Sequence, residues 1–263
     1  MLGKLLKYDL KYVYKNVVVL YILAIVFSSL SRVTKSVENS ALFSVITIFL
    51  VVSAIFMAVV SLIFCLRGLW FRFLKNCYQD ESYLTHTLPV KKKTIYNAKA
   101  ITAVITMLTT MVVILVSLFI CFYSKANLEN VKEALEVAAT VSDTTVVSLL
   151  AIMFLVFVTE MIFVVFLGFV AIILGHRFNQ NKTMKSVVIG IALYFITQIV
   201  SVALVFIIGA VNPDVMNFIK TEEILPTSII KKIMYAGTGL YIFYTVFYYL
   251  LGKIYFKKGV NVD

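Results

Sequence analysis

From Ala41 to Leu66 the chain runs 26 residues without a charged side chain. As a helix that run would measure about 39 Å at roughly 1.5 Å per residue, longer than the roughly 30 Å hydrocarbon core of a bilayer. Further apolar runs lie at 17–31, 100–122, 146–174, 187–211 and 235–251. Hydrophobic residues make up 62% of the 263 positions, more apolar surface than one soluble interior can hold. Lipid is therefore the solvent for most of this chain. Hydrocarbon offers backbone groups no water, so each span must satisfy its own hydrogen bonds as a helix. The expected fold is an all-α integral membrane protein with six transmembrane helices in a single domain over residues 1–263.

Six spans place both ends of the chain on one side, and the basic residues say which. Four lysines precede the first span, seven basic residues lie in 67–99, three in the turn after residue 174, and three follow residue 251. The three opposite segments hold seven between them, so the richer side is expected to face the cytoplasm. The net charge of +11 is then a topology signal, and no nucleic-acid partner is expected. No cleaved leader is expected either, since no small-residue cleavage site follows the first span.

Residues 2–15 predict an amphipathic helix, with Lys4, Lys7, Lys11 and Lys15 on one stripe and Leu2, Leu5, Leu6 and Val13 opposite. Such a helix is expected to lie in the interface plane, its lysines toward the headgroups of membrane lipids. Asp9 falls within its apolar face. Either the helix rolls far enough for Asp9 to reach water, or Asp9 faces protein and needs a basic partner.

The longest polar interruption is 67–99. Asp80 is placed to cap a short helix over 79–90, and Pro89 to end it. Leu84 and Leu88 would stack one turn apart with Tyr83 beside them, making an apolar knob outside the membrane. The plainer alternative is a solvated loop with ordinary turn chemistry. The run Tyr78-x-Asp80-Glu81-x-Tyr83-Leu84-Thr85-x-Thr87-Leu88-Pro89-Val90, with Lys99 entering the next span, resembles the cytosolic coupling segment of small bacterial ABC transporter permeases of the type-2 export class.

That resemblance implies a connecting helix containing Lys7, Asp9 and Lys11, and an outer helical segment at 212–234. It implies ATPase coupling through Asp80, Glu81, Tyr83, Leu84, Leu88 and Pro89. The expected partners are a cytosolic ABC ATPase, which would bind ATP and Mg, and a second permease copy or close paralogue. The expected location is the bacterial plasma membrane. The expected cargo is amphipathic peptide, as in exporters similar to those for phenol-soluble modulins or bacteriocins. Export of lipid or glycan precursors is the alternative within the class, and a non-transporting scaffold or sensor accessory the alternative outside it.

The chain itself lacks any G-x-x-x-x-G-K-[ST] segment or H-E-x-x-H pair, so no enzymatic activity is expected of it. Cys65, Cys77 and Cys121 have no metal-binding spacing, and His176 beside Arg177 reads as a capping or headgroup residue. An acidic amphipathic stretch covers 125–143, with Glu129, Glu133 and Glu136 at helical spacing. Glu160 is the one charged residue at mid-span. A carboxylate there is costly, so it is a candidate for the translocation path. The structural alternative has it hydrogen-bonded to hydroxyls such as Ser148, Thr159, Thr197 or Ser201, or to Gln198. The tyrosines at 241, 244, 248 and 249 read as packing and interface anchors.

Overall fold

The computed structural model describes residues 2–37, 41–211 and 227–258. Among them are eight helices and no strand: α1 (Leu2–Ser36), α2 (Ala41–Cys77), α3 (Ser82–Thr87), α4 (Lys92–Phe122), α5 (Lys125–Val141), α6 (Val146–Gly175), α7 (Lys182–Val211) and α8 (Thr227–Lys257). The described residues fall into two compact units, one reaching to Leu128 and including Phe256 onward, the other Glu129–Tyr255.

Five helices, α1, α2, α4, α6 and α7, are long and apolar enough to cross a membrane. Among the described residues there are thus five candidate spans, against six expected from the sequence. The sixth, 235–251, lies inside α8, whose tyrosines, glycines and lysines dilute its apolar side chains. The expected outer segment 212–234 falls outside the described residues over 212–226, and 227–234 forms the start of α8.

Two further boundaries differ from expectation. Residues 2–15 are not a separate interfacial helix but the first turns of α1, because no Pro or Gly interrupts the chain between Lys4 and Ser36. Along one straight axis Lys4 stands about 16 Å from Lys15. The four lysines are all exposed. The polar stretch 67–99 is likewise mostly helix: α2 runs on to Cys77 and α4 begins at Lys92. Its extension is held by packing, since Gly68, Leu69, Phe73 and Cys77 are all buried.

In the first unit α1 packs along α2 and α4, and α2 packs on α4. The buried stripe of α1 is Asp9, Val13, Val17, Tyr21, Ala24, Ser28 and Ser31, stepping by three or four residues. Much of that seam is small or hydroxylated. Ser28 Oγ lies 2.7 Å from Ser117 Oγ, Tyr21 Oη 2.6 Å from Thr110 Oγ1, and Tyr14 Oη 2.9 Å from Thr109 Oγ1. Small side chains let backbones approach, and each interhelical hydrogen bond contributes on the order of 0.6 kcal/mol in lipid.

In the second unit α6 packs on α7. They come close at Gly175, where an added Cβ would overlap the Ser186 hydroxyl and sit 2.5 Å from its backbone nitrogen. α8 joins through Phe163, whose ring lies 5.7 Å from Tyr244 and 5.5 Å from Tyr248, and through Thr245 Oγ1 donating to the Thr159 carbonyl at 3.0 Å. Gly175→Ala is expected to destabilise the protein by about 1–3 kcal/mol. Gly237→Ala, where a Cβ meets nothing within 4 Å, is expected to be neutral or stabilising by up to about 1 kcal/mol. Thermal unfolding of both variants in detergent checks the contrast.

Candidate functional site

α3 stands between the ends of α2 and α4. Its presented side chains are apolar: Tyr83 is 68% exposed, Leu84 73% and Leu88 41%. Its underside is anchored, with Ser82 and Thr85 buried. A six-residue helix is too short to hold itself together in water, so tertiary contacts must fix it.

Its N-terminus differs from the expected cap. Asp80 stands exposed outside the helix, and Glu81 occupies the cap position without a side-chain capping bond. The Glu81 carboxylate is used elsewhere: Arg72 Nη1 donates to it at 2.6 Å and Asn76 Nδ2 at 3.1 Å. At the other end Leu88 adopts extended geometry before Pro89, as the proline ring requires. The helix is thus Ser82–Thr87, shorter than the expected 79–90.

Arg72 carries the anchor inward. Its Nε donates to Asp9 Oδ1 at 3.0 Å, and Lys99 Nζ donates to the same oxygen at 2.7 Å. Asp9 is 3% exposed and Lys99 4%. The guanidinium also lies 4.6 Å from the centre of the Tyr12 ring. Two carboxylates and two cations therefore form a neutral, mostly buried network that joins α1, α2 and α4 to the start of α3. Asp9 has the basic partners that its protein-facing reading requires. Lys7 and Lys11, on the other side of α1, are exposed.

Beside the network lies an aromatic floor within the same unit. Phe73, Tyr78, Tyr96 and Phe256 are each at most 1% exposed, with the Tyr96 and Phe256 ring centres 5.8 Å apart. His86 of α3 rests on it, 6.3 Å from the Phe256 ring, and its Nε2 lies 3.1 Å from the Cys77 carbonyl oxygen. An apolar tip thus projects from a base held by buried contacts.

Arg72, Asn76 and Phe256 were not legible as site residues in the sequence. Lys99 carried a signal, since a lysine between Ala98 and Ala100, in a stretch that also holds Ile95 and Tyr96, needs an acid once buried. Glu160, in contrast, is brought to no polar partner by a hydrogen bond or ion pair among the described residues. It is half-buried on α6, within electrostatic reach of Tyr241. Three of the hydroxyls expected to serve it are engaged elsewhere: Thr159 with the carbonyls of Leu155 and Val156, Thr197 with Tyr248, and Ser201 with Tyr244.

Removing Asp9 strands two cations at a buried position, so Asp9→Ala is expected to destabilise the fold by about 3–5 kcal/mol. Lys7→Glu, two residues away on the exposed side, is expected to change it by no more than about 0.5 kcal/mol. Unfolding midpoints of the purified variants decide this. Partial burial works to raise the Glu81 pKa, but the Asn76 hydrogen bond and the Arg72 charge outweigh it and hold the carboxyl below its usual range. A depressed carboxyl stabilises the folded state above the ordinary carboxylate range, and that contribution is lost as pH falls through the folded value. Amide exchange in α3, corrected for intrinsic rates, should stay protected near neutrality and lose protection below about pH 4. Comparison with known proteins returns no match: no family model, no curated protein and no solved structure resembles this chain closely enough to assign it.

Proposed function

We propose that this chain is the transmembrane subunit of an ATP-driven ABC exporter of amphipathic peptides. The observation that carries the reading is α3, with Tyr83, Leu84 and Leu88 presented on a base fixed by Glu81, Arg72, Asp9 and Lys99. In this reading the tip enters an apolar groove of a cytosolic ATPase, which supplies the ATP and Mg site that this chain lacks. Force on the tip passes through the Glu81–Arg72–Asp9 contacts to α1 and α4 without first bending the loop. A second copy or a close paralogue of the chain completes the passage. Almost wholly apolar spans offer a hydrophilic solute few replacements for its water, at several kcal/mol per unpaired polar group, whereas a cargo with an apolar face largely avoids that cost. Glu160 favours cationic cargo.

Docking is tested by Leu84→Ala with Leu88→Ala. Loss of a buried interface leucine costs about 2 kcal/mol when it is a hot spot, roughly a thirtyfold loss of affinity. The expected result is loss of the co-purifying ATPase from a variant that still inserts and runs as a folded species. Full retention of the ATPase would remove α3 from docking. Orientation is tested in intact bacteria with single cysteines at exposed Thr87, Asn181 and Asn130. An impermeant thiol reagent should reach only Asn130→Cys, and labelling of Thr87→Cys from outside would invert the topology. Cargo is tested by ATPase stimulation in proteoliposomes, where cationic amphipathic peptides should act and scrambled versions or sugars should not. Glu160→Gln should flatten the preference for cationic over neutral peptides.

A further inference from the structure

We infer that α5 lies flat in the membrane surface on the side opposite α3, with lipid covering its apolar stripe. The inference does not depend on the transport reading. Two residues separate α5 from the apolar end of α4, and four separate it from the apolar start of α6. At about 3.3–3.6 Å per residue, neither linker lets its end of α5 move more than about 18 Å from a span. α5 itself is 17 residues long, about 25 Å. Both of its ends are therefore tethered at the bilayer boundary.

The tethers are structured. Ser124 Oγ accepts from the Asn127 amide at 3.1 Å, and Asn127 Nδ2 donates to the Phe122 carbonyl at 2.9 Å, tying the first turn of α5 to the end of α4. At the far end Asp143 takes φ 49°, and Thr144 N–H donates to the Ala139 carbonyl at 2.9 Å, closing the helix with a left-handed cap. Thr145 then caps α6.

The roll of α5 follows from its sequence. Along one flank of the helix come, in order, an apolar stripe of Leu128, Val131 and Leu135, a basic edge of Lys125 and Lys132, and an acidic ridge of Glu129, Glu133 and Glu136, while the other flank carries Asn127 and Asn130, with exposed Val137 past the ridge. That order matches the order of a bilayer read outward: hydrocarbon boundary, phosphate, water. Among the described residues protein covers only the far end of the stripe, where Ala139 is buried and Leu135 half-buried, while Leu128 is 47% exposed and Val131 57%. Membrane binding by so short a stripe would be weak for a free peptide, but the two tethers make it intramolecular.

The test uses the full chain, with Cys65, Cys77 and Cys121 replaced by Ala, in liposomes of phosphatidylethanolamine and phosphatidylglycerol. Nitroxides at Leu128, Val131 and Glu133 report collisions with oxygen, which partitions into lipid, and with a water-soluble nickel chelate. Labels at Leu128 and Val131 should favour oxygen, and the label at Glu133 should favour the chelate by severalfold more. Equal chelate access at all three positions would overturn the inference in favour of a solvated helix. Exclusion of both reagents at Leu128 and Val131 would overturn it in favour of a protein cover. A second measurement leaves the cysteines in place. Val131→Trp should add emission that brominated lipid quenches, Glu133→Trp should add emission that it does not, and the same quenching for both would count against the flat helix.

Discussion

A carboxylate taken out of water near the end of a membrane helix has to be neutralised, and Asp9 sets much of the architecture around it. Its two cations come from different helices, Arg72 on α2 and Lys99 on α4, so the pairing fixes the rotation of three helices at once. Because both cations are largely buried, each element of the network is costly to remove and none can turn away alone. Arg72 Nη1 donates to Glu81 and so extends the same constraint to the loop. The position of α3 is a consequence of charge bookkeeping several residues beneath it.

Within the bilayer a different physics applies, because burying apolar surface against protein gains little over burying it against lipid. The first unit answers with small residues and hydroxyl pairs: Ser28 with Ser117, Tyr21 with Thr110. The second unit answers with rings, Phe163 meeting Tyr241, Tyr244 and Tyr248, and with Gly175 set against Ser186. Tyrosine hydroxyls there pair with Thr197 and Ser201, two of the groups that the sequence offered to Glu160.

The two surfaces of functional interest face different solvents. α3 shows apolar side chains to water, a state that is costly alone and relieved by a protein groove. α5 shows an apolar stripe at a lipid boundary, where no partner is needed. Equal exposure therefore carries opposite meanings at Leu84 and at Leu128, and position relative to the bilayer decides between them.

The uncharged run at 41–66 and its counterparts made a helical membrane protein unavoidable, since hydrocarbon permits no other way of satisfying the backbone of one chain segment. The Pro89 boundary and the apolar side chains of α3 could also be read directly, being set by local sterics and spacing. Helix ends could not. Arg67 to Cys77 looks polar enough to leave the membrane as loop, yet it continues α2 because Leu69 and Phe73 find buried places in the packed unit. Residues 2–15 look like an interfacial helix, yet they continue α1, where Asp9 meets its cations. Whether Asp9 met water or protein was undecidable along the chain, because its partners lie 63 and 90 residues away. The sequence by itself determined the solvent and the helices; tertiary structure alone decided which charges met, because pairing over such separations depends on how whole helices rotate and pack.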